Sequence, residues 1–180
     1  MFVQTETTPN PNSLKFLPEK KVSKIGSLEV KNKKDSNNEL IRNILSINGV
    51  KGIFLSENFL SVNKEEDKNW EDLKHIIISL INEYYSDGNN VILDENQNLD
   101  GKVKMTDIEN KIIKILETKI RPAVARDGGD IRFKEFKDGI VKVELQGSCS
   151  GCPSSKMTLK QGVENLLRHY IPEVKEVLAL

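Results

Sequence analysis

The sequence predicts an α+β protein made of two small α+β domains that are joined by a flexible polar linker. The N-terminal half mixes strand-like alternation with helical spacing of its apolar residues. Residues 86–101 are rich in Asn, Asp and Gly and show no hydrophobic periodicity. A second series, in the order helix, strand, strand, loop, helix, strand, begins near Thr106. We therefore expect domains at residues 1–87 and 105–180, with the linker at residues 88–104.

The first domain is expected to open with two short strands around a turn. Residues 2–5 and 14–16 have strand character, and residues 9–12, Pro-Asn-Pro-Asn, are typical of a turn. A hairpin is predicted further on, from residues 51–56 and 59–63.

Two helices complete the first domain. The shorter is expected at about residues 38–47, after a polar loop, and Asn48-Gly49 is a typical helix stop. Asn69 is the expected N-cap of the longer helix. Apolar residues recur on one face of that helix: Trp70, Leu73, Ile77, Leu80, Ile81 and Tyr84. Trp70, the lone tryptophan, is interpreted as a core anchor rather than a ligand contact.

The second domain begins with a clear helix start. Residues 106–109, Thr-Asp-Ile-Glu, form a capping box, in which the threonine and glutamate side chains bind free backbone N–H groups. Arg121-Pro122 marks the end of this helix or a kink. Two strands, at residues 131–136 and 140–145, are predicted around Asp138-Gly139, a strong signal for a tight hairpin.

The end of the second domain is predicted to be a helix at residues 153–169 and a strand near residues 174–180. The cysteine loop lies between the hairpin and this helix. The domain is therefore expected to have the order α-β-β-α-β, with a CxxC loop at a helix N-terminus.

Composition excludes several classes of function. The 27 basic and 27 acidic residues cancel, so a chain-wide attraction to nucleic acid is not expected. The apolar runs are too short to span a bilayer, so no membrane association is expected. The first residues show neither the basic nor the apolar region of a secretory signal. We expect a cytoplasmic bacterial protein, with a mature mitochondrial protein as the less favoured alternative.

Both cysteines of the chain, Cys149 and Cys152, lie in one short motif, Gly-Ser-Cys-Ser-Gly-Cys-Pro. This spacing suits a site that offers two sulfurs to one metal centre or to one another. Pro153 is favoured at the first position of a helix, which places Cys152 at the N-cap, where the helix dipole favours the thiolate. The flanking glycines allow the backbone to approach a bulky centre. The motif therefore predicts a site with two thiolate ligands.

The ligand count narrows what such a site can hold. Structural zinc and iron–sulfur clusters both require about four protein ligands. His169 is expected about 25 Å from Cys152 along the last helix, and His75 belongs to the other domain. Two copies of the chain in a symmetric dimer would supply Cys149 and Cys152 twice.

Two alternatives of other classes stay open at this point. A thiol–disulfide oxidoreductase also uses CxxC at a helix start, although here a β-hairpin precedes the motif and the only later proline beyond the loop, Pro172, follows the helix. A dimer joined by structural zinc would have the same ligand count.

The second domain closely resembles the C-terminal NifU-like domain of Nfu iron–sulfur carriers. The resemblance lies in Arg121-Pro122, in Asp-Gly-Gly-Asp-Ile at residues 127–131 and in the cysteine motif, and it covers about residues 106–180. A bare CxxC would be weak evidence, whereas this combination is highly specific. Residues 8–16, Thr-Pro-Asn-Pro-Asn-Ser-Leu-Lys-Phe, are similar to the Nfu N-terminal domain.

This resemblance implies a carrier rather than an enzyme. It implies a homodimer that holds one 4Fe-4S cluster through Cys149 and Cys152 of both subunits, with a 2Fe-2S form left open. The implied partners are an upstream cluster-assembly scaffold and apo iron–sulfur client proteins. Residues 127–130, Asp-Gly-Gly-Asp, are interpreted first as a turn between helix and strand, and second as a segment that packs under the cysteine loop or joins a docking surface.

Overall fold

The structure is a computed structural model that describes residues 1–94 and 104–180, without the side chains of residues 154 and 155. The chain divides into two compact units, Met1–Leu99 and Asp100–Leu180. Within the described ranges, no helix combines the length and the hydropathy needed to cross a membrane.

The first unit contains a five-stranded sheet and two α-helices. Its elements are β1 (Val3–Thr7), β2 (Ser13–Pro18), β3 (Leu28–Val30), a 3-10 turn (Lys33–Asp35), α1 (Glu39–Leu45), β4 (Val50–Leu55), β5 (Leu60–Lys64) and α2 (Trp70–Ser86). The strands are antiparallel in the order β1-β2-β5-β4-β3, so β1 and β3 are the edge strands. The core forms where α1 and α2 bury residues such as Ile41 and Ile77 against sheet residues such as Phe16.

Local sequence signals account for much of this unit. The two predicted hairpins are present, and Asn38 caps α1 by accepting a hydrogen bond of 3.2 Å from the Ile41 N–H. Trp70 packs against the core, edge-on to Phe16 at 6.5 Å between ring centroids, which supports the anchor interpretation. Strand β3 was not predicted, because its Leu-Glu-Val is too short to show a period.

Residues 91–93 differ from their prediction as linker. Ile92 donates a backbone hydrogen bond of 3.0 Å to the Val22 carbonyl, and Leu93 is fully buried. Two adjacent apolar side chains anchor this segment to the first unit, despite the polar residues on both sides of it. Residues 95–103 of the predicted linker lie outside the described residues.

The second unit confirms the predicted order α-β-β-α-β. Its elements are α3 (Asp107–Ile115), a π-helical segment (Leu116–Ile120), α4 (Arg121–Arg126), β6 (Gly129–Lys137), β7 (Ile140–Gly147), α5 (Pro153–Tyr170) and β8 (Glu176–Ala179). The capping box is present, with the Glu109 N–H donating to Thr106 at 3.3 Å and the Thr106 N–H donating to Glu109 at 2.7 Å. Asp138 and Gly139 both have positive φ, 52° and 81°, as the tight hairpin requires.

The predicted kink at Arg121-Pro122 takes the form of a π-helical segment. Pro122 has no N–H to donate, and its ring would clash with the carbonyl four residues earlier in a regular α-helix. The helical turn before the proline contains one extra residue instead, so that the Arg121 N–H donates a hydrogen bond to the Leu116 carbonyl, five residues back. Helix formation therefore continues through the proline into α4.

The sheet of the second unit has the order β6-β7-β8, with β8 parallel to β7. Helix α5 is thus the crossover of a β7-α5-β8 unit, and the cysteine loop lies where β7 ends and α5 begins. The core includes Val143 of β7, Val163 of α5 and Val177 of β8.

Candidate metal centre

The cysteine loop connects the end of β7 to the first turn of α5. Cys152 occupies the N-cap of α5 with extended backbone, φ −114° and ψ 112°, and Pro153 is the first helical residue, as predicted. Cys149 and Cys152 are both described and are not joined in a disulfide.

The two cysteines differ in burial. Cys149 is 6% exposed and belongs to the core cluster of the second unit, whereas Cys152 is half-buried. The loop therefore holds one sulfur against the protein core and leaves the other closer to solvent.

Gly129 lies directly under Cys149. A Cβ atom at residue 129 would be 2.9 Å from Cys149 Sγ and 2.5 Å from the Gln146 carbonyl oxygen. Both distances are shorter than normal contacts, so only glycine fits without a shift of the loop. Gly129 also pairs with Gly147 across the sheet, at the point where the chain leaves β7.

The rest of residues 127–130 supports the same loop. The Ser148 hydroxyl donates to the Asp127 carbonyl, and the Ser148 N–H donates to the Gly128 carbonyl at 3.2 Å. Within the loop, Ser150 donates from both its N–H and its hydroxyl to the Gly147 carbonyl, at 3.3 and 2.9 Å. This segment therefore packs under the cysteine loop in addition to turning the chain.

An ion pair that the sequence analysis missed anchors this segment. Arg121 donates from Nε and from one terminal nitrogen to the two carboxylate oxygens of Asp130, both at 2.8 Å. Asp130 is 5% exposed and also accepts the Ile131 N–H at 2.8 Å. This bonding raises the pKa of Arg121, which stays cationic. Arginine followed nine residues later by aspartate, across a predicted helix end, is the signal that could have indicated the pair.

Electrostatics around Cys149 favour the neutral thiol. Burial is the largest cause and raises its pKa, the hydrogen bond with Ser148 lowers it in part, and the nearby carboxylates of Asp127 and Asp130 raise it further. A metal that binds this sulfur must therefore displace a proton.

Cys149 and Cys152 give a single chain two soft ligands at this site. Among the described residues, no group of three or more His, Cys, Asp or Glu side chains is close enough to hold a metal ion. His169 lies near the far end of α5, with its ring edge-on to Tyr170 at 5.0 Å, and His75 lies on α2 of the first unit. The donor set fits a centre that is shared with further sulfur ligands from outside the chain.

Comparison with known proteins matches each of the two units of the chain to a family model. The family model for the NifU-like domain matches residues 112–178, and that for the Nfu/NifU N-terminal scaffold domain matches residues 3–88. The human mitochondrial NFU1 iron-sulfur cluster scaffold homolog is 41% identical over 180 residues, which cover 98% of this chain and 71% of the relative. The chain belongs to the Nfu family of NifU-like proteins.

Plant relatives of this Nfu chain are similarly close. Mitochondrial NifU-like proteins 4 and 5 of Arabidopsis thaliana are 42% and 44% identical over 184 residues, covering 98% of this chain and 65% and 67% of the relatives. The chain thus spans about two thirds of the length of these proteins. The solution structure of a NifU-like protein from Saccharomyces cerevisiae aligns at 26% identity over 53% of this chain and 86% of that one, with a TM-score of only 0.48.

The expected cytoplasmic bacterial location is wrong. The Nfu relatives that align with nearly the whole chain are named as mitochondrial proteins of a plant and of human. The start of the sequence carried no information that distinguished a bacterial protein from an organellar one.

Proposed function

We propose that this protein is an iron–sulfur cluster carrier. Two copies bind one 4Fe-4S cluster through Cys149 and Cys152 of each copy, and the dimer passes the cluster to apo-proteins. The observation that supports this most directly is the pair of sulfurs on one braced loop, with no third ligand group among the described residues. A second copy brings the number of thiolates to the four that such a cluster requires.

The unequal burial of the two sulfurs suits a cluster that is held and then released. Cys149 is fixed against Gly129 in the protein core, whereas Cys152 is half-buried at the helix start. Incoming ligands of a client would reach Cys152 before Cys149.

The competing dithiol function is less well supported. An oxidoreductase attacks with an accessible thiolate of lowered pKa. Here Cys149 is buried and its pKa is raised, so its sulfur is shielded and the fraction present as thiolate is reduced. The proposed role is therefore a carrier without catalysis of its own.

The partners follow from the cargo. We expect an upstream assembly scaffold as the donor and apo iron–sulfur proteins as the recipients, in the mitochondrion, as the names of the relatives suggest. The homodimer is expected in the cluster-bound state.

Anaerobic reconstitution with iron and sulfide tests the proposal. One 4Fe-4S cluster per dimer predicts a brown product with four irons and four sulfides per two chains, eluting as a dimer. Cys149→Ala and Cys152→Ala should each abolish the cluster and the metal-linked dimer, whereas His169→Ala, at the far end of α5, should retain both.

Transfer is tested by mixing the reconstituted dimer with an apo-dehydratase that requires a 4Fe-4S cluster and measuring its recovered activity. A cluster of full intensity in either cysteine variant would contradict the proposed ligands. A colourless product that contains zinc, or disulfide-reductase turnover without iron, would favour the structural-zinc or dithiol alternative.

A further inference from the structure

A groove of about 530 Å³ lies in the first unit, between β1 and α2. Thr5 and Thr7 of β1 line it, and Leu14 of β2 and Trp70 of α2 form its apolar base. The groove belongs to a different unit from the cysteine loop.

The strand beside this groove has an open edge. β1 is the last strand of its sheet and pairs with β2, and on its other side no strand of the described ranges pairs with it. An edge strand presents a row of backbone N–H and C=O groups that a further strand can bind. Here that edge runs alongside a preformed groove, which is the arrangement used for recognition of extended peptides by strand addition.

The apolar base of the groove is rigid. Leu14 is 7% exposed, and its backbone pairs with Thr7 and Val62 on the two neighbouring strands. Trp70 is held by a hydrogen bond of 3.0 Å from its indole N–H to the Pro11 carbonyl and by its edge-on contact with Phe16. An incoming aliphatic side chain would therefore meet a surface that needs no rearrangement.

The α2 wall of the groove carries acidic and basic side chains that form no ion pair within the described residues. Lys74 and His75 line the groove and take part in no ion pair or side-chain hydrogen bond there, and neither does Glu71, one turn nearer the helix start. The wall is therefore acidic at the Trp70 end and basic one turn further on. A carboxylate on the ligand is complementary to the basic end, where two nitrogen donors are adjacent.

We propose that this groove binds an extended segment of a partner protein. The segment pairs with β1 as a sixth strand, places an aliphatic side chain beside Thr5 and Thr7 on the side of the groove that faces Trp70, and directs a carboxylate toward Lys74 and His75. Alternation of side chains along a strand sends every second residue of the ligand toward the groove. The ligand is thus a short β-strand with an aliphatic and an acidic residue on the same face.

Selection from a phage-displayed random octapeptide library on the full chain tests the proposal. The expected result is a family of sequences with aliphatic and acidic residues two apart. Bound to the ¹⁵N-labelled full chain, a synthetic peptide of this consensus should shift the amide resonances of β1 and of residues 70–75. Because the groove and the cysteines belong to different units, the Cys149→Ala variant should bind the peptide unchanged, which separates this test from that of cluster binding.

Two controls determine whether the mode of binding is the proposed one. Lys74→Glu should weaken the affinity for the peptide by about tenfold or more, as expected for the loss of a charge-assisted hydrogen bond. Lys51→Glu, at an exposed position of β4, should leave the affinity unchanged. Two peptides can be made, each methylated on one of the two alternating sets of backbone nitrogens. The peptide whose methylated nitrogens face β1 should lose binding, and this control needs no change in the protein. The proposal is overturned if no sequence is enriched, if Lys74→Glu or both methylated peptides bind normally, or if the resonance shifts lie outside the groove.

Discussion

Gly129→Ala should destabilise the second unit and disturb the cysteine loop at the same time. The added methyl group would lie 2.5 Å from the Gln146 carbonyl oxygen and 2.9 Å from Cys149 Sγ. The first contact is with backbone inside a strand pair, and the second is with a buried side chain. Neither partner can move aside by a simple side-chain rotation, so the end of the β6–β7 pair must open.

The magnitude follows from two opposing contributions. Overpacking of a tight site costs about 1–3 kcal/mol. Replacing glycine by alanine restricts the unfolded chain and returns about 0.4–1 kcal/mol. The net loss therefore lies between about 0 and 2.6 kcal/mol, and its central value of about 1.3 kcal/mol lowers the unfolding temperature of a unit of this size by about 5–10 °C.

Gly162→Ala provides a matched control with the opposite sign. Gly162 lies inside α5, and a Cβ atom there would meet nothing within 4 Å. Replacing glycine by alanine in a helix interior raises the free energy of unfolding by about 0.5–1 kcal/mol, so the unfolding temperature of this variant should be a few degrees higher.

Differential scanning calorimetry of the full chain under reducing conditions measures both variants. Trp70 is the only tryptophan and lies in the first unit, so its fluorescence follows the unfolding of that unit alone. The fluorescence midpoint should stay unchanged in both variants. The reasoning is refuted if Gly129→Ala unfolds at or above the temperature of the wild type, or if its loss appears in the tryptophan signal.

The remaining predictions concern the anchoring ion pair and the thiols. Arg121→Ala leaves the buried Asp130 carboxylate without its bidentate partner and should lower the free energy of unfolding in urea by about 1–3 kcal/mol. This cost is less than for a fully buried pair because the arginine side chain is 38% exposed, and a cost below about 0.5 kcal/mol would contradict the prediction. Partial alkylation at neutral pH, followed by peptide mass spectrometry, should label Cys152 before Cys149. Cys149 reacts more slowly because it is buried and its pKa is raised. The reverse order of labelling would refute the assigned burial. The pKa of Cys149 is higher in the folded chain than in the unfolded chain. The free energy of unfolding should therefore be unaffected by this thiol below its unfolded-state pKa, and it should fall as the pH rises from the unfolded-state pKa toward the folded-state pKa. Cys149→Ala should remove this contribution to the fall.

Features coded by adjacent residues were predictable. The capping box at Thr106, the hairpin turn at Asp138-Gly139 and the position of Cys152 before Pro153 each depend on a few consecutive residues with strong local preferences. Short or mixed segments were not predictable in this way. Residues 28–30 are too few to display a period, and residues 91–93 pack as apolar residues within a polar stretch.

By itself, the sequence determined the α+β class, the order of elements in the second unit and the two sulfurs of the candidate site, because these depend on local preferences and ligand chemistry. Only the tertiary structure decided that β8 runs parallel to β7, that Cys149 rather than Cys152 is buried, and that Gly129 and the Arg121–Asp130 pair support the cysteine loop. It also placed an open strand edge beside α2 in the first unit. These features join residues that are distant along the chain, and their contacts exist only once long-range packing has fixed the two sheets and their helices.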